Sequence, residues 1–432
     1  MINSVWAQEE LPPFPKLKQD TKTDVLIIGG GMAGLLCAYR LQQNGVDCML
    51  IEADSLCHGI TRNTTAKITS QHGLIYSKLL REFNADTARL YWEANEAALA
   101  EYRRLSETIS CDFEAKDSYV YTLSHPEKLE KELNALQKIG VPADYTGALP
   151  LPFQTAGAIR FRDQAQFHPL KFAAGIARGL SVYEHTAARE FIGNTVVTEQ
   201  GRIAAKKIIV ATHFPLLNKH GSYFLKLYQH RSYVLALENA PDVNGMYIDE
   251  SGAGLSFRNY GELLFLGGGA HRTGKAGGTW NTLEQFAKIR YPQAREKYRW
   301  AAQDCMSLDG VPYIGQYSSN TPDLFVASGF NKWGMTASML AGMLLCDLVQ
   351  GKENRYAAVF SPSRTILRPQ LGINALEAVG NLLTPTRPRC PHLGCALKWN
   401  PQEHSWDCPC HGSRFTETGK LLDNPATGNL NR

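Results

Sequence analysis

Four of the ten cysteines crowd into the last forty-three of 432 residues, and they do so beside histidines. Cys390-Pro-His392 is a C-x-H pair, Cys408-Pro-Cys410-His411 is a C-x-x-H pair, and Cys395 and Cys410 are two further thiols. Two thiolates suit one iron and two imidazoles the other, which is the donor set of a two-iron two-sulfur centre. Zinc needs only four of the six groups and accounts poorly for the HLGC and CPCHGS strings. A second constellation lies near the start, where Gly29, Gly31 and Gly34 follow an apolar run with GxGxxG spacing. Gly29 permits a tight turn, Gly31 lets a pyrophosphate approach the backbone, and Gly34 lets a helix pack on the strand. Glu52, eighteen residues past Gly34, supplies a carboxylate for ribose hydroxyls. The chemistry implied is binding of a dinucleotide at one end of the chain and one-electron transfer at the other.

The elements that must position these groups follow from patterning. Val25 to Ile28 reads as a buried strand, Leu35 to Gln43 as a helix stopped by Gly45, and Val46 to Ile51 as the next strand. The polar run His58 to Lys67 leaves that second strand end and is expected over the nucleotide. Ser77 to Ile109 has the spacing of an amphipathic helix pair, and Pro126 to Ile139 that of a further helix with Ser124 as N-cap. Val182 to Thr186, Phe191 to Glu199 and Ile203 to Val210 read as strands returning to the nucleotide sheet. Ser232 to Leu266 reads as an antiparallel sheet with turns at Asn244-Gly245, Ser251-Gly252 and Tyr260-Gly261. Leu283 to Gln303 is expected to be helical. Leu324 to Ala327 is a buried strand running into GFNKWGMT, Gly329 to Thr336, and then an apolar helix whose N-terminus faces a bound group. Met335 to Val349 is too short for a membrane span and carries Asp347. The net charge of +4 implies neither nucleic acid nor an anionic membrane as partner. Residues 1–23 lack the pattern of a signal peptide, and the expected location is cytoplasmic.

The GGGMAG turn with Glu52, the IIVAT strand, the DGVPYIG segment and the GF-xxx-G turn before a helix occur in that order. Together they resemble the D-amino-acid oxidase, glycine oxidase and sarcosine oxidase superfamily over about residues 20–350. The resemblance implies FAD, a nucleotide sheet assembled from separated segments, and an inserted antiparallel substrate domain. It also implies that the last helix N-terminus faces the flavin pyrimidine. His213 stands where a glycine commonly follows the Ala-Thr pair, and Thr336 where sarcosine oxidases carry a substrate-binding lysine. The tail resembles Rieske proteins of the quinol-oxidising type, which implies a disulfide between Cys395 and Cys410. Phe415 replaces the tyrosine that such proteins place beside a cysteine ligand. The whole chain resembles bacterial fusions of these two parts.

The expected architecture is α/β: a Rossmann-like FAD-binding domain with an interleaved antiparallel-sheet substrate domain, plus a small all-β Rieske module. The expected boundaries are 1–360 for the oxidoreductase, with FAD-binding segments about 20–76, 155–214 and 305–350 and a substrate domain about 77–154 and 215–304. A linker over 361–388, rich in proline and arginine, including Arg387 and with one short helix near Ile373 to Leu382, precedes a Rieske domain over 389–432. Expected cofactor contacts are Gly29, Gly31, Met32, Ala33, Gly34, Glu52, Thr64, Thr65, Ala188, Ala211, Gly329, Trp333, Gly334 and Met335. Arg62, Lys67, Tyr233, His271 and Lys332 are the polar groups expected near the flavin, and Cys390, His392, Cys408 and His411 the cluster ligands. The function expected is flavin-dependent oxidation of a C–N bond in a small amine or amino acid, with electrons exchanged through the 2Fe-2S cluster. A one-electron donor or acceptor protein is the expected partner. The alternatives are a flavin monooxygenase or reductase fed through the cluster, and a redox sensor or electron carrier without substrate.

Overall fold

A computed structural model describes residues 3–218, 220–385 and 388–430, so Arg387 of the linker and the last two residues of the Rieske span lie outside it. The nucleotide sheet is mostly parallel. Strand Thr21–Ile28 sits at its centre, paired in parallel with Cys48–Ile51 on one side and Arg202–Val210 on the other. Leu324–Ser328 continues the parallel order beyond Arg202–Val210, and Val182–Tyr183 lies beyond Cys48–Ile51. Helices Met32–Gln43 and Gly334–Val349 cover one face and pack directly on each other. Their approach is close enough that a Cβ on Gly342 would sit 2.9 Å from the Leu36 carbonyl. Leu35, Leu36, Leu41, Leu340, Leu344 and Leu345 are buried there, each worth about 1.5–3 kcal/mol of transfer free energy.

The second sheet has nine strands in the order Arg295–Ser307, Leu227–Glu238, Leu263–Arg272, Ser256–Tyr260, Met246–Asp249, Glu114–Thr122, Gly157–Gln166 and Lys67–Ile68, with Asp144–Thr146 beside Gly157–Gln166. All its pairings are antiparallel except that of Met246–Asp249 with Glu114–Thr122. Two sequence expectations change here. The helix beginning at Trp280 stops at Arg290, and Arg295–Ser307 is a thirteen-residue strand, not helix. Pro292 ends the helical run, and twelve residues of register against Leu227–Glu238 outweigh the helical spacing. Gly157–Gln166, read with the nucleotide segments, is instead an inner strand of this second sheet. The helix Pro126–Lys138 is preceded by His125 rather than by a Ser124 cap.

The tail folds as a four-stranded antiparallel sheet of short strands, Lys398–Asn400, Ser405–Asp407, Arg414–Thr416 and Leu421–Asp423. Its core holds Cys390, Cys395, Leu397, Cys408, Cys410, Phe415 and Ala426. So small a core does not stabilise a domain alone, and the module leans on the second sheet. The stretch read as linker contains one long helix, Pro369–Leu383.

Candidate redox site

The glycine turn is built as its spacing requires. Gly29 has φ +110°, and a Cβ there would lie 2.6 Å from the Ala211 carbonyl oxygen, so only glycine lets strand Arg202–Val210 end against the turn. A Cβ on Gly34 would lie 1.9 Å from the Gly29 carbonyl. Gly31 is different: its Cβ position meets only Thr61 Oγ1, at 3.5 Å, so a bulky anionic group has access to the start of helix Met32–Gln43. The Thr61 hydroxyl accepts from the Met32 N–H at 3.1 Å. Glu52 accepts the Gly30 N–H at 2.6 Å and the Asp54 N–H at 2.8 Å, and burial raises its pKa against the pull of those bonds. The Gly329 turn has φ +70° and delivers Lys332, Trp333 and Gly334 to the start of helix Gly334–Val349. Thr336 is held by Thr69, donating to its carbonyl at 2.9 Å and accepting its N–H at 3.1 Å, while the Met335 carbonyl accepts from Tyr102.

Of the polar groups expected near the flavin, Lys67 and Lys332 come together electrostatically. Burial, then the charges of Arg258 and Lys332, bring the Lys67 ammonium down to about 7. Lys332 is also lowered by burial, against the attraction of Asp304, and donates to the Gly252 carbonyl at 3.1 Å. Arg62 does not join them: its guanidinium donates to the Ala7 carbonyl at 2.9 Å. Tyr233 and His271 stack on each other, centroids 5.8 Å apart, on the side turned toward the tail, where Asn400 and Glu403 lie near the Tyr233 hydroxyl. Thr64 caps the Ala66 N–H, Thr65 accepts from Lys67 at 3.4 Å, and Ala188 packs, partly buried, against the core that holds Leu26, Ile28 and Ile51.

Three groups were missed. Asp304 and His230 are register partners on adjacent strands, both within the field of Lys332. Burial raises the Asp304 carboxyl above its ordinary value and lowers His230 to about 3. Arg258 is buried between the rings of Trp6 and Phe265 with no hydrogen-bond partner on any of its three guanidinium nitrogens. The first pair is set by the register of Leu227–Glu238 against Arg295–Ser307, which spacing along either segment alone does not carry.

In the tail, the Cys395–Cys410 disulfide is present and joins the two loops that carry the other groups. Cys395, Cys408 and Cys410 form the tightest sulfur cluster, but two of these are consumed by the disulfide. The free thiols of the tail are Cys390 and Cys408. The neighbouring Cys408 thiol, with the Ser413 hydroxyl and the His392 and Leu393 N–H groups, draws Cys390 down to about 7 against its burial. His392 and His411 stand at 89° with centroids 4.9 Å apart. Their Nδ1 atoms are buried without any partner, while their Nε2 atoms bond Asn218 Oδ1 and the Phe224 carbonyl, both at 3.0 Å. Burial lowers the imidazoles to about 4 and about 3, so both are neutral. Two orphaned neutral Nδ1 atoms beside two thiols fit a Rieske cluster.

The cluster loops are docked on the second sheet. Gln229 Nε2 donates to the His411 carbonyl at 2.8 Å, Gln303 Nε2 to that of Gly412 at 2.8 Å, and Arg272 to those of Pro409 and Cys410 at 2.9 and 3.0 Å. Beneath them a buried pair, Arg231 with Glu403, is extended by Arg414, Asp407 and Asp423. Burial alone would raise the Glu403 pKa, yet Arg231 and Arg414 bring it to about 2 from 4.5. A depressed carboxylate contributes its stability above the unfolded value and loses it as pH falls toward the folded one. Docking should therefore hold above about pH 4.5 and weaken by roughly 3 kcal/mol as pH drops toward 2. Small-angle scattering across that window checks this, and Glu403→Gln should flatten the pH dependence.

The comparisons agree with this geometry. The FAD dependent oxidoreductase family matches residues 24–348, and the chain belongs to it. The Rieske [2Fe-2S] domain matches residues 374–432, so FAD and a Rieske cluster are the protein's cofactors. YhfW of Bacillus subtilis (strain 168), named as a Rieske 2Fe-2S iron-sulfur protein, is 36% identical, covering 96% of this chain and 94% of its own. The gamma-glutamylputrescine oxidoreductase of Escherichia coli (strain K12) is 23% identical over 80% of this chain and 88% of its own. The glycine oxidase of Geobacillus kaustophilus has the same fold, with TM-score 0.68 and 21% identity over 80% of this chain and 99% of that one. The chain is thus an FAD-dependent oxidoreductase carrying a fused Rieske domain.

Proposed function

We propose that this cytoplasmic enzyme oxidises a C–N bond of a small amine or amino acid and exchanges the electrons singly through its cluster with a one-electron partner protein. In this reading Cys390 and Cys408 bind one iron, and His392 and His411 bind the other through Nδ1. Gly29, Gly31, Met32, Ala33, Gly34, Glu52, Thr64, Thr65, Ala188, Ala211, Gly329, Trp333, Gly334 and Met335 are the FAD contacts. FAD, when bound, supplies a group that takes two electrons together and releases them one at a time, as a 2Fe-2S cluster requires. Asp304 offers a carboxylate to a substrate ammonium, and Lys67, with its pKa near 7, can hold or release a proton at Nζ.

The observation that carries the reading is the direction of the histidine edge. Both Nε2 atoms end on the flavin domain, that of His411 on the Phe224 carbonyl in a partly buried contact and that of His392 on Asn218 at the exposed rim. The names of the relatives support the substrate class, since one acts on gamma-glutamylputrescine and another on glycine. The test is anaerobic mixing with a panel of amines and amino acids, following flavin absorbance and the cluster EPR signal. A substrate should bleach the flavin and then reduce the cluster. Bleaching by NAD(P)H alone would instead make the protein a reductase, and no bleaching by any compound would remove the dehydrogenase reading.

A further inference from the structure

Helix Pro369–Leu383 is built inside out. Its polar side chains Gln370, Asn374, Glu377 and Asn381 lie on one face, and that face is turned to the protein. Asn374 and Asn381 are 5% and 7% exposed. Arg272 and Gln370 donate to Asn374 Oδ1, Lys275 pairs with Glu377 at 2.7 Å, and the Asn381 carbonyl accepts the Ala396 N–H. The opposite face carries Ile373, Leu376, Val379, Leu382 and Leu383, exposed by 52, 75, 54, 45 and 77%. From Leu371 onward every exposed residue of this helix is apolar or glycine. Leu367, 82% exposed, precedes the helix, and Leu393, 40% exposed, extends the patch into the cluster loop. An apolar surface on the order of 600 Å² is at the top of the range that soluble monomers expose, where patches are often functional.

We infer that this helix lies flat on an anionic lipid bilayer, its apolar face in the headgroup–acyl boundary. Three features favour lipid over a protein surface. The face offers no hydrogen-bond donor or acceptor, whereas a protein interface carries about one hydrogen bond per 100–200 Å². The one acid of residues 361–389, Glu377, is turned inward and paired with Lys275, so the exposed face carries no carboxylate, while Arg364 and Arg368 are spent on Asp309 and Glu82. Among the described residues, Arg389 and Lys398 are exposed and have no carboxylate partner; Arg389 sits at the helix end, donating to the Leu382, Thr384 and Gly394 carbonyls. Arg389 thus sets a basic residue at the end of the apolar face, where a helix lying in the bilayer plane meets anionic headgroups. Among the described residues no helix is long and apolar enough to cross a membrane, so attachment would be to the surface. The small net charge of the whole chain does not register this, because it averages over faces.

The inference stands whether or not the enzyme oxidises amines. Its test is flotation of the full-length holoprotein with vesicles of phosphatidylcholine alone and of phosphatidylcholine with phosphatidylglycerol, alongside light scattering without lipid. The parent should float with the mixed vesicles and less with the neutral ones. Leu376→Gln, Val379→Gln and Leu383→Gln together should reduce flotation by at least about tenfold with flavin and cluster spectra unchanged. Failure of the parent to float, equal flotation of the triple variant, or a lipid-free dimer that only the parent forms would each overturn the bilayer assignment, the last in favour of a second copy of the chain.

Discussion

His411→Ala protein should purify with FAD, still bleach with substrate, and fail to reduce a one-electron acceptor. The substitution removes one of two orphaned Nδ1 atoms and the Nε2 bond to the Phe224 carbonyl. Nothing in the nucleotide turn changes, since Gly29 to Glu52 meets strand Arg202–Val210 and not the cluster loops. Loss of a ligand from a two-histidine iron leaves that iron with an open position, so the cluster signal should disappear from EPR. The expected effect on electron delivery is about 10³-fold or more, because a transfer-specific step is removed and not merely slowed. Zinc in the parent, without acid-labile sulfide, would defeat the ligand assignment before any kinetics. Turnover of cluster-free protein with its acceptor at the parent's rate would make the tail structural.

Local motifs were legible because their chemistry is local. Gly29, Gly31 and Gly34 are fixed by one turn and one helix, and Cys390 to Cys395 and Cys408 to His411 by two short loops, so spacing alone carries them. The nucleotide sheet's strands were legible as continuous apolar runs, as strands buried on both faces are. Contacts between distant segments were not. Gln229 and Gln303 read as ordinary polar positions, and only folding brings them to His411 and Gly412, about 180 and 110 residues away. The part of Arg295–Ser307 that falls within the helical spacing of Leu283 to Gln303 becomes a strand because Leu227–Glu238 pairs along it. The pairing of Asp304 with His230 is another contact set by strand register. Tyr233 and His271, expected near the flavin, face the tail. The linker helix was legible as an element, but its orientation was the least legible feature of all. An amphipathic pattern states that one face is apolar, and the usual assumption that this face turns inward fails for Pro369–Leu383.

Gly274→Val should separate docking from cluster assembly. Gly274 has φ +73°, and its Cβ position lies 2.8 Å from the Pro409 nitrogen and 3.1 Å from the Asp407 carbonyl. These are backbone atoms flanking Cys408, so they cannot rotate away as a side chain would. A valine there costs about 1 kcal/mol or more in backbone strain and drives the cluster loops off the sheet. The bonds next to it are those that fix the module: Thr273 N–H to the Gln229 carbonyl, and Arg272 to the Pro409 and Cys410 carbonyls. The ligands, the disulfide and the Ser413 contacts all lie within the tail and remain. The variant should keep FAD and a Rieske EPR signal while flavin-to-cluster transfer, followed after anaerobic mixing with substrate, slows by roughly 10²-fold as fixed contact becomes tethered encounter. Gly261→Val provides the control. It shares the positive φ, at +53°, but its Cβ position meets nothing within 4 Å, so it carries the strain without the collision and should transfer electrons at the parent's rate. If Gly274→Val also transfers at that rate, electrons do not cross the Gln229–His411 contact surface. If both variants slow equally, strain in the sheet and not docking sets the rate.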